Sequence, residues 1–231
     1  MYFIILMNQF VEIVVARYNE DLSWTNDFPF NRYKYTVYNK GRNENFEKKH
    51  VLKVIQVENV GKCDHTYMYH IVKNFNQLAP ITVFLPGSID MSNKRNIAYR
   101  LLGEINKNRK AVFLGHSTPS VFQSFKNFTL DSWKTSYRKN YLANKENKLF
   151  PSRLRPFGRW FLYHFGNIKV PYHCYYGIFS VNRKDVTKHN IIRYKKILRE
   201  LKIHSNPEVG HYVERAWGSI FYPLLYTKIC S

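Results

Sequence analysis

Short apolar, mostly β-branched runs recur through the first half of the chain, each stopped by polar or turn-forming residues and several followed by a helix-like stretch. They are Val11 to Ala16, Tyr33 to Tyr38, Val51 to Gly61 (VLKVIQVENVG), Ile81 to Leu85 (ITVFL) and Ala111 to Gly115 (AVFLG). Runs of this length cannot cover their own apolar faces, and strands alternating with helices are the pattern of a parallel-sheet α/β domain. Val11 to Ala16 suits a central strand buried on both faces. Between the strands, CDHTYMYHIVKNF predicts a helix with Asp64 as its N-cap, and SNKRNIAYRLLGEINKNR one capped by Ser92. Gly115 to Gly166 interleaves Trp, Tyr, Arg and Asn without a period and reads as an irregular aromatic and basic insertion over about 116–166. Order returns with a strand from Tyr175 to Val181 and a long basic helix from about Asp185 to Lys202. The last helix opens with Asn206 as N-cap and Pro207 as its first residue. No internal repeat or low-complexity linker interrupts residues 1–231, so a single domain is expected.

Composition narrows the partners. The chain carries 36 Lys and Arg against 16 Asp and Glu, a net +20, which favours nucleic acid, phosphorylated small molecules or anionic surfaces. The alternative is that scattered basic residues only solubilise a chain that is 17% aromatic. Cys63, Cys174 and Cys230 are odd in number and far apart, which supports neither a disulfide framework nor a zinc motif and fits a reducing, cytoplasmic setting. The opening MYFIILM reads as a strand or its approach, the alternative being a targeting or anchoring role, and nowhere do eighteen apolar residues run together as a transmembrane helix requires. Walker and G-x-G-x-x-G motifs are absent, and GHS at Gly115 to Ser117 is not a G-x-S-x-G elbow. His65 and His70 are five apart, off the four-residue spacing of a helical metal pair, and His173 and Cys174 alternate across a strand.

Ligands of open α/β sheets bind beyond the carboxyl ends of the strands. The polar groups there are RYNEDLSW (Arg17 to Trp24), YNKG (Tyr38 to Gly41), NVGKCDH (Asn59 to His65), PGSID (Pro86 to Asp90) and GHST (Gly115 to Thr118). In a parallel sheet these segments converge on one rim, placing Arg17, Asn19, Glu20, Asp21, Asn39, Lys40, Lys62, Asp64 and Ser88 around a ligand. The plainer alternative is that Asn19 and Glu20 cap a helix beginning near Asp21. As bases for an acceptor hydroxyl, Glu208, His211 and Glu214 are candidates. Glu208 also suits the first turn of a helix electrostatically, and Glu214 beside Arg215 also suits a structural ion pair. His211, Glu214 and Arg215 share one helix face.

In order along the chain, VVARYNEDLSW, YNKG, NVGKCDHTYMYHIV, TVFLPGS, YYGIFSV and ERAWGSIF resemble an uncharacterised family of fungal, algal and large DNA virus proteins, domain-of-unknown-function family 3431. The resemblance runs from about Val11 to Phe221, and the Lys-, Asn-, Tyr- and Ile-rich composition suits a viral member, hence a host cytoplasm. That family is in turn similar to GT-A type glycosyltransferases. The resemblance implies a Rossmann-like sheet, a nucleotide-sugar donor and a glycan or protein acceptor. It puts Arg17, Asn19 and Glu20 near base and ribose, and Asn39 and Lys40 near ribose or diphosphate. Such enzymes hold Mn²⁺ or Mg²⁺ on the diphosphate with an Asp-x-Asp pair. Here LPGSID leaves Asp90 alone as a metal ligand, and Lys40, Lys62, Lys94 or Arg95 would supply the positive charge instead. The family's acidic residue after NVGK is replaced by Cys63, with Asp64 following. Two competing readings remain: nucleic-acid binding through RLRPFGRW and the helix with Arg193, Lys195, Lys196 and Arg199, and a fold retained for interaction without catalysis.

Overall fold

The computed structural model describes residues 10–134, 136–137 and 148–230. The apolar opening MYFIILM and part of the insertion lie outside the described residues. Four parallel strands form most of the central sheet: β1 (Val11–Arg17), β2 (Tyr35–Asn39), β3 (Val51–Gln56) and β4 (Ile81–Pro86). A later strand, β8 (Phe179–Asn182), joins antiparallel to β4, so the five-stranded order is β3-β2-β1-β4-β8. The alternation of β1 explains its place: Ile13 and Val15 enter one apolar layer, Val14 and Ala16 the other. One layer joins the sheet to α1 (Lys62–Lys73), α6 (Ile191–Leu201) and α7 (Glu208–Ile220) through Tyr67, Ile71, Phe84, Tyr194, Ile197 and Trp217. The other packs Val83, Leu85 and Trp24 against Ala98, Leu101 and Leu102 of α2 (Ser92–Asn108).

The expected fifth strand forms as β5 (Val112–Leu114) but pairs with the C-terminal β9 (Lys228–Cys230), not with the central sheet. It is held to that sheet by apolar packing, with the Phe113 and Phe179 rings 6.0 Å apart, and by a side-chain hydrogen-bond pair. Ser180 Oγ on β8 accepts from Val112 N and donates to Val112 O, both at 2.7 Å, so β5 lies along the β8 edge. At the opposite edge, β3 exposes Leu52 (73% accessible) and Lys53.

Within the insertion the structure has α3 (Val121–Phe125), α4 (Phe157–Phe165) and β6 (His116–Ser117), the last paired with β7 (Tyr172–His173). GHST therefore belongs to this ribbon. The long basic helix is two: α5 (Arg183–Thr187), capped by Asn182, and α6, where Asn190 Oδ1 accepts from Ile192 N at 2.9 Å and starts a new helix. Three expected caps are absent. Gly61, left-handed at φ 57°, precedes α1, Met91 precedes α2, and Pro207 precedes α7, none with a side-chain cap bond. Asp64 and Asn206 are buried and otherwise engaged.

Candidate functional site at the carboxyl rim of the sheet

The strand order reverses at β1, with β2 on one side and β4 on the other, each parallel to it. This is a Rossmann-like sheet. A crevice opens at the carboxyl end of such a switch point, and the loops leaving β1, β2 and β4 meet there.

Arg17 ends β1 with 1% of its surface accessible. Its Nε donates to Glu20 O at 2.8 Å and its other nitrogens to Asn39 Oδ1, Asn43 O and Asn43 Oδ1 at 2.7, 2.8 and 2.6 Å, while the guanidinium lies 4.3 Å from the Phe46 ring centroid. Arg17 and Asn39 thus tie the loop after β1 to the loop after β2, because a buried guanidinium must satisfy its donors. Gly41 is required at this junction: a Cβ would stand 1.9 Å from Tyr18 O. Glu20 does not cap a helix; its Oε2 accepts from Tyr18 N and Asn19 N at 2.6 and 3.1 Å. Asn19 Oδ1 accepts from Asn43 Nδ2, and Asp21 Oδ1 from the amide and hydroxyl of Ser23. Trp24 Nε1 donates to Gly87 O at 2.8 Å and closes this loop onto the end of β4.

The second part of the rim is built on the start of α1. Lys40, buried at the end of β2, donates its ammonium to the carbonyls of Val60 and Lys62 and holds the left-handed pair Gly61 and Lys62 that turns into the helix. Burial pulls the Lys40 pKa down to about 7, with Cys63 and Asp64 opposing the shift. Asp64, also buried, accepts from Trp217 Nε1 at 2.8 Å, and its pKa is pushed up to about 7 by burial and then by the charge of Glu214. Glu214 projects from α7 with a quarter of its side chain accessible. Its Oε1 accepts from the backbone N–H of Tyr176 at 2.8 Å, and Arg215 lies 3.9 Å from Oε2. Tyr176 and Gly177, both left-handed at φ 64° and 63°, form the turn that presents this N–H.

The third part follows β4. Ser88 Oγ accepts from Lys94 Nζ at 2.7 Å, and Asp90 Oδ2 accepts from Tyr137 OH at 3.0 Å. Among the described residues the donors do not fit a divalent ion. Asp90 has no Asp-x-Asp companion, and among the described residues no three His, Cys, Asp or Glu side chains are grouped to hold a metal.

The three candidate bases separate clearly. Glu208 is fully buried: Oε1 accepts from Leu130 N and Tyr212 OH, while Oε2 accepts from Ser152 N and lies 3.3 Å from Arg155 Nε. It clamps the insertion to α7. His211 is 9% accessible, with its ring 5.2 Å from that of Trp133. Burial, then the charges of Arg215 and Lys62, hold its pKa down to about 3, so it is neutral at physiological pH. Glu214 is the candidate of the three that stands beside Asp64. Cys63, within the expected NVGKCDH segment, lies 3.7 Å from Asp64 Oδ2, while Tyr137 and Tyr176 also belong to the rim and were missed from sequence, since nothing local marks a backbone N–H or a tyrosine as a carboxylate partner.

Elsewhere, His65 and His70 are both buried in α1, and His116 and His173 face each other across the ribbon with rings 5.6 Å apart. Trp160 of RLRPFGRW is fully buried and donates to Glu200, so it offers no face to a base. Arg193 donates to Ser219 O and lies over Phe165, leaving Lys195, Lys196 and Arg199 as the exposed cations of that helix. No helix among the described residues is long and apolar enough to cross a membrane.

No protein-family model matches the chain, and no curated protein matches it. Among solved structures, CMP:2-keto-3-deoxy-manno-octonic acid synthetase complexed with CTP is similar at 14% identity and a TM-score of 0.34, over 81% of this chain and 78% of that one.

Proposed function

We propose that the chain binds a nucleotide-activated sugar at the carboxyl rim and transfers the sugar to a hydroxyl group of a glycan or protein acceptor. The observation that supports this best is the placement of Glu214, a partly exposed carboxylate oriented by Tyr176 N–H beside the buried Asp64. A carboxylate oriented in this way takes the proton of an attacking hydroxyl. The acceptor oxygen bonds to the anomeric carbon, the bond from that carbon to the diphosphate oxygen breaks, and the electron pair leaves on the diphosphate. Lysine at the rim offsets the charge that develops there. Arg17, Asn39 and Glu20 keep the loops around the donor in place through their own hydrogen bonds, and Asn19 and Tyr18 form the adjoining surface.

The test is the melting temperature of the protein against a panel of nucleotide sugars, since a ligand selective for the native state raises it. One nucleotide class should stabilise wild type and Glu214→Gln alike, while transfer by the variant falls by roughly 10²-fold or more, as expected when a general base is lost. Retained transfer in Glu214→Gln removes that residue as the base. Stabilisation by no nucleotide, together with nucleic-acid binding that collapses with added salt, would place the working surface on Lys195, Lys196 and Arg199 of α6.

A further inference from the structure

We propose that the ammonium of Lys94 is the resident cation of the rim and grips the ligand's diphosphate in place of a divalent ion; this rests on the nucleotide-sugar reading above. Four basic side chains are expected from sequence to serve the diphosphate, and the structure commits the other three elsewhere. Lys40 donates to the carbonyls of Val60 and Lys62, the Lys62 ammonium lies 4.4 Å from the Trp133 ring centroid, and Arg95 pairs with Asp27 at 2.7 Å. Lys94 lies in the first turn of α2, half-buried, and donates to Ser88 Oγ at 2.7 Å. An ammonium has three N–H donors, so this bond pins Lys94 at the end of β4 and leaves others for a ligand.

Acidic neighbours offset part of the burial that disfavours the charged lysine. Burial lowers the Lys94 pKa, and the nearby Cys63, Glu20, Glu214 and Asp90 oppose that shift. These groups come from the loops after β1 and β4, from the start of α1 and from α7, so Lys94 stands where the three parts of the rim meet. The donors suit an ammonium better than a divalent ion: Asp90 Oδ2 is taken by Tyr137 OH, and Glu20 Oε2 by two backbone N–H groups. The first turn of α2 holds no acidic residue and no side-chain cap, so the helix adds positive potential beside the lysine. During transfer the ammonium keeps its proton and neutralises the oxygen released from the anomeric carbon.

The test is calorimetric titration with UDP, GDP, CDP and inorganic pyrophosphate, each with chelator and with Mn²⁺, on wild type, Lys94→Met and Lys94→Arg. Wild type should bind one nucleoside diphosphate with equal affinity in both conditions. Lys94→Met should weaken that diphosphate and pyrophosphate by roughly 10- to 100-fold, the range for one charge-assisted hydrogen bond, and leave the parent nucleoside unchanged. Lys94→Arg should recover most of the loss. If Lys94→Met fails to fold, Ser88→Ala, which unpins the ammonium, should give a smaller loss in the same direction. Binding that requires Mn²⁺ and survives Lys94→Met overturns the inference and leaves the nucleotide reading standing. Binding of none of these ligands in either condition overturns both.

Discussion

Two buried residues of the rim titrate against the grain of ordinary side chains, and their effects on stability run in opposite directions. Asp64 holds a proton up to about 7 when folded, whereas an unfolded aspartate releases it near about 3.9. Across that window the native state binds more protons, so the Asp64 contribution to stability falls as pH rises. Lys40 loses its proton near about 7 when folded, against about 10.4 unfolded, so its contribution rises with pH across the alkaline window. Asp64→Asn keeps an acceptor for Trp217 Nε1 and removes the charge. Unfolding free energies from urea titration should agree with wild type near pH 4 and move in the variant's favour by on the order of a few kcal/mol by pH 7. Parallel free-energy curves across that range would mean that Asp64 is ionised throughout.

At the scale of elements, the polar attachment of β5 to the main sheet runs through Ser180, whose hydroxyl both accepts from and donates to the backbone of Val112. Ser180→Ala removes the shared partner of the buried Val112 N–H and C=O and should cost about 1–3 kcal/mol. Hydrogen exchange at Val112 N–H should speed up more than at Phe84 N–H, and equal protection at the two amides would show that β5 is held by its pairing with β9. The sequence made the first four strands legible to within a few residues at most ends, because their runs are β-branched and stopped by turn residues. It also made legible the bodies of α1, α2 and α7, whose apolar residues recur at helical spacing. The partner of β5 was not legible: Lys228–Cys230 carries no strand pattern and meets β5 only through tertiary contact. The break between α5 and α6 was legible in principle, since Asn182 and Asn190 are both good helix caps, but a run of basic residues across it hid the punctuation. At the rim, which segments converge follows from strand order. What Arg17 and Asp64 do there does not, because Asn43 and Trp217 reach them from 26 and 153 residues away.

For the whole molecule, Glu208 joins parts of the chain that local structure would leave independent. Its oxygens take Leu130 N, Ser152 N and Tyr212 OH and lie beside Arg155, and Glu208 N donates to Phe150 O, so the insertion is fastened to the helix that carries Glu214. Glu208→Ala strands these donors in a buried setting and should lower stability by about 3–5 kcal/mol. Limited proteolysis should then nick between Leu130 and Ser152 well before the sheet. An unchanged cleavage pattern would show that the insertion is held by its apolar contacts alone. The opposite border of the molecule has a consequence of another kind. β3 leaves one side of its backbone unpaired by any described strand, next to the accessible Leu52, and such a border templates chain-to-chain stacking. Lys53 sits on it as an electrostatic gatekeeper, and with a net +20 on every copy the repulsion between molecules is strongest in dilute buffer. Colloidal stability of this protein is therefore tied to ionic strength, with concentrated salt the condition under which solutions should cloud first.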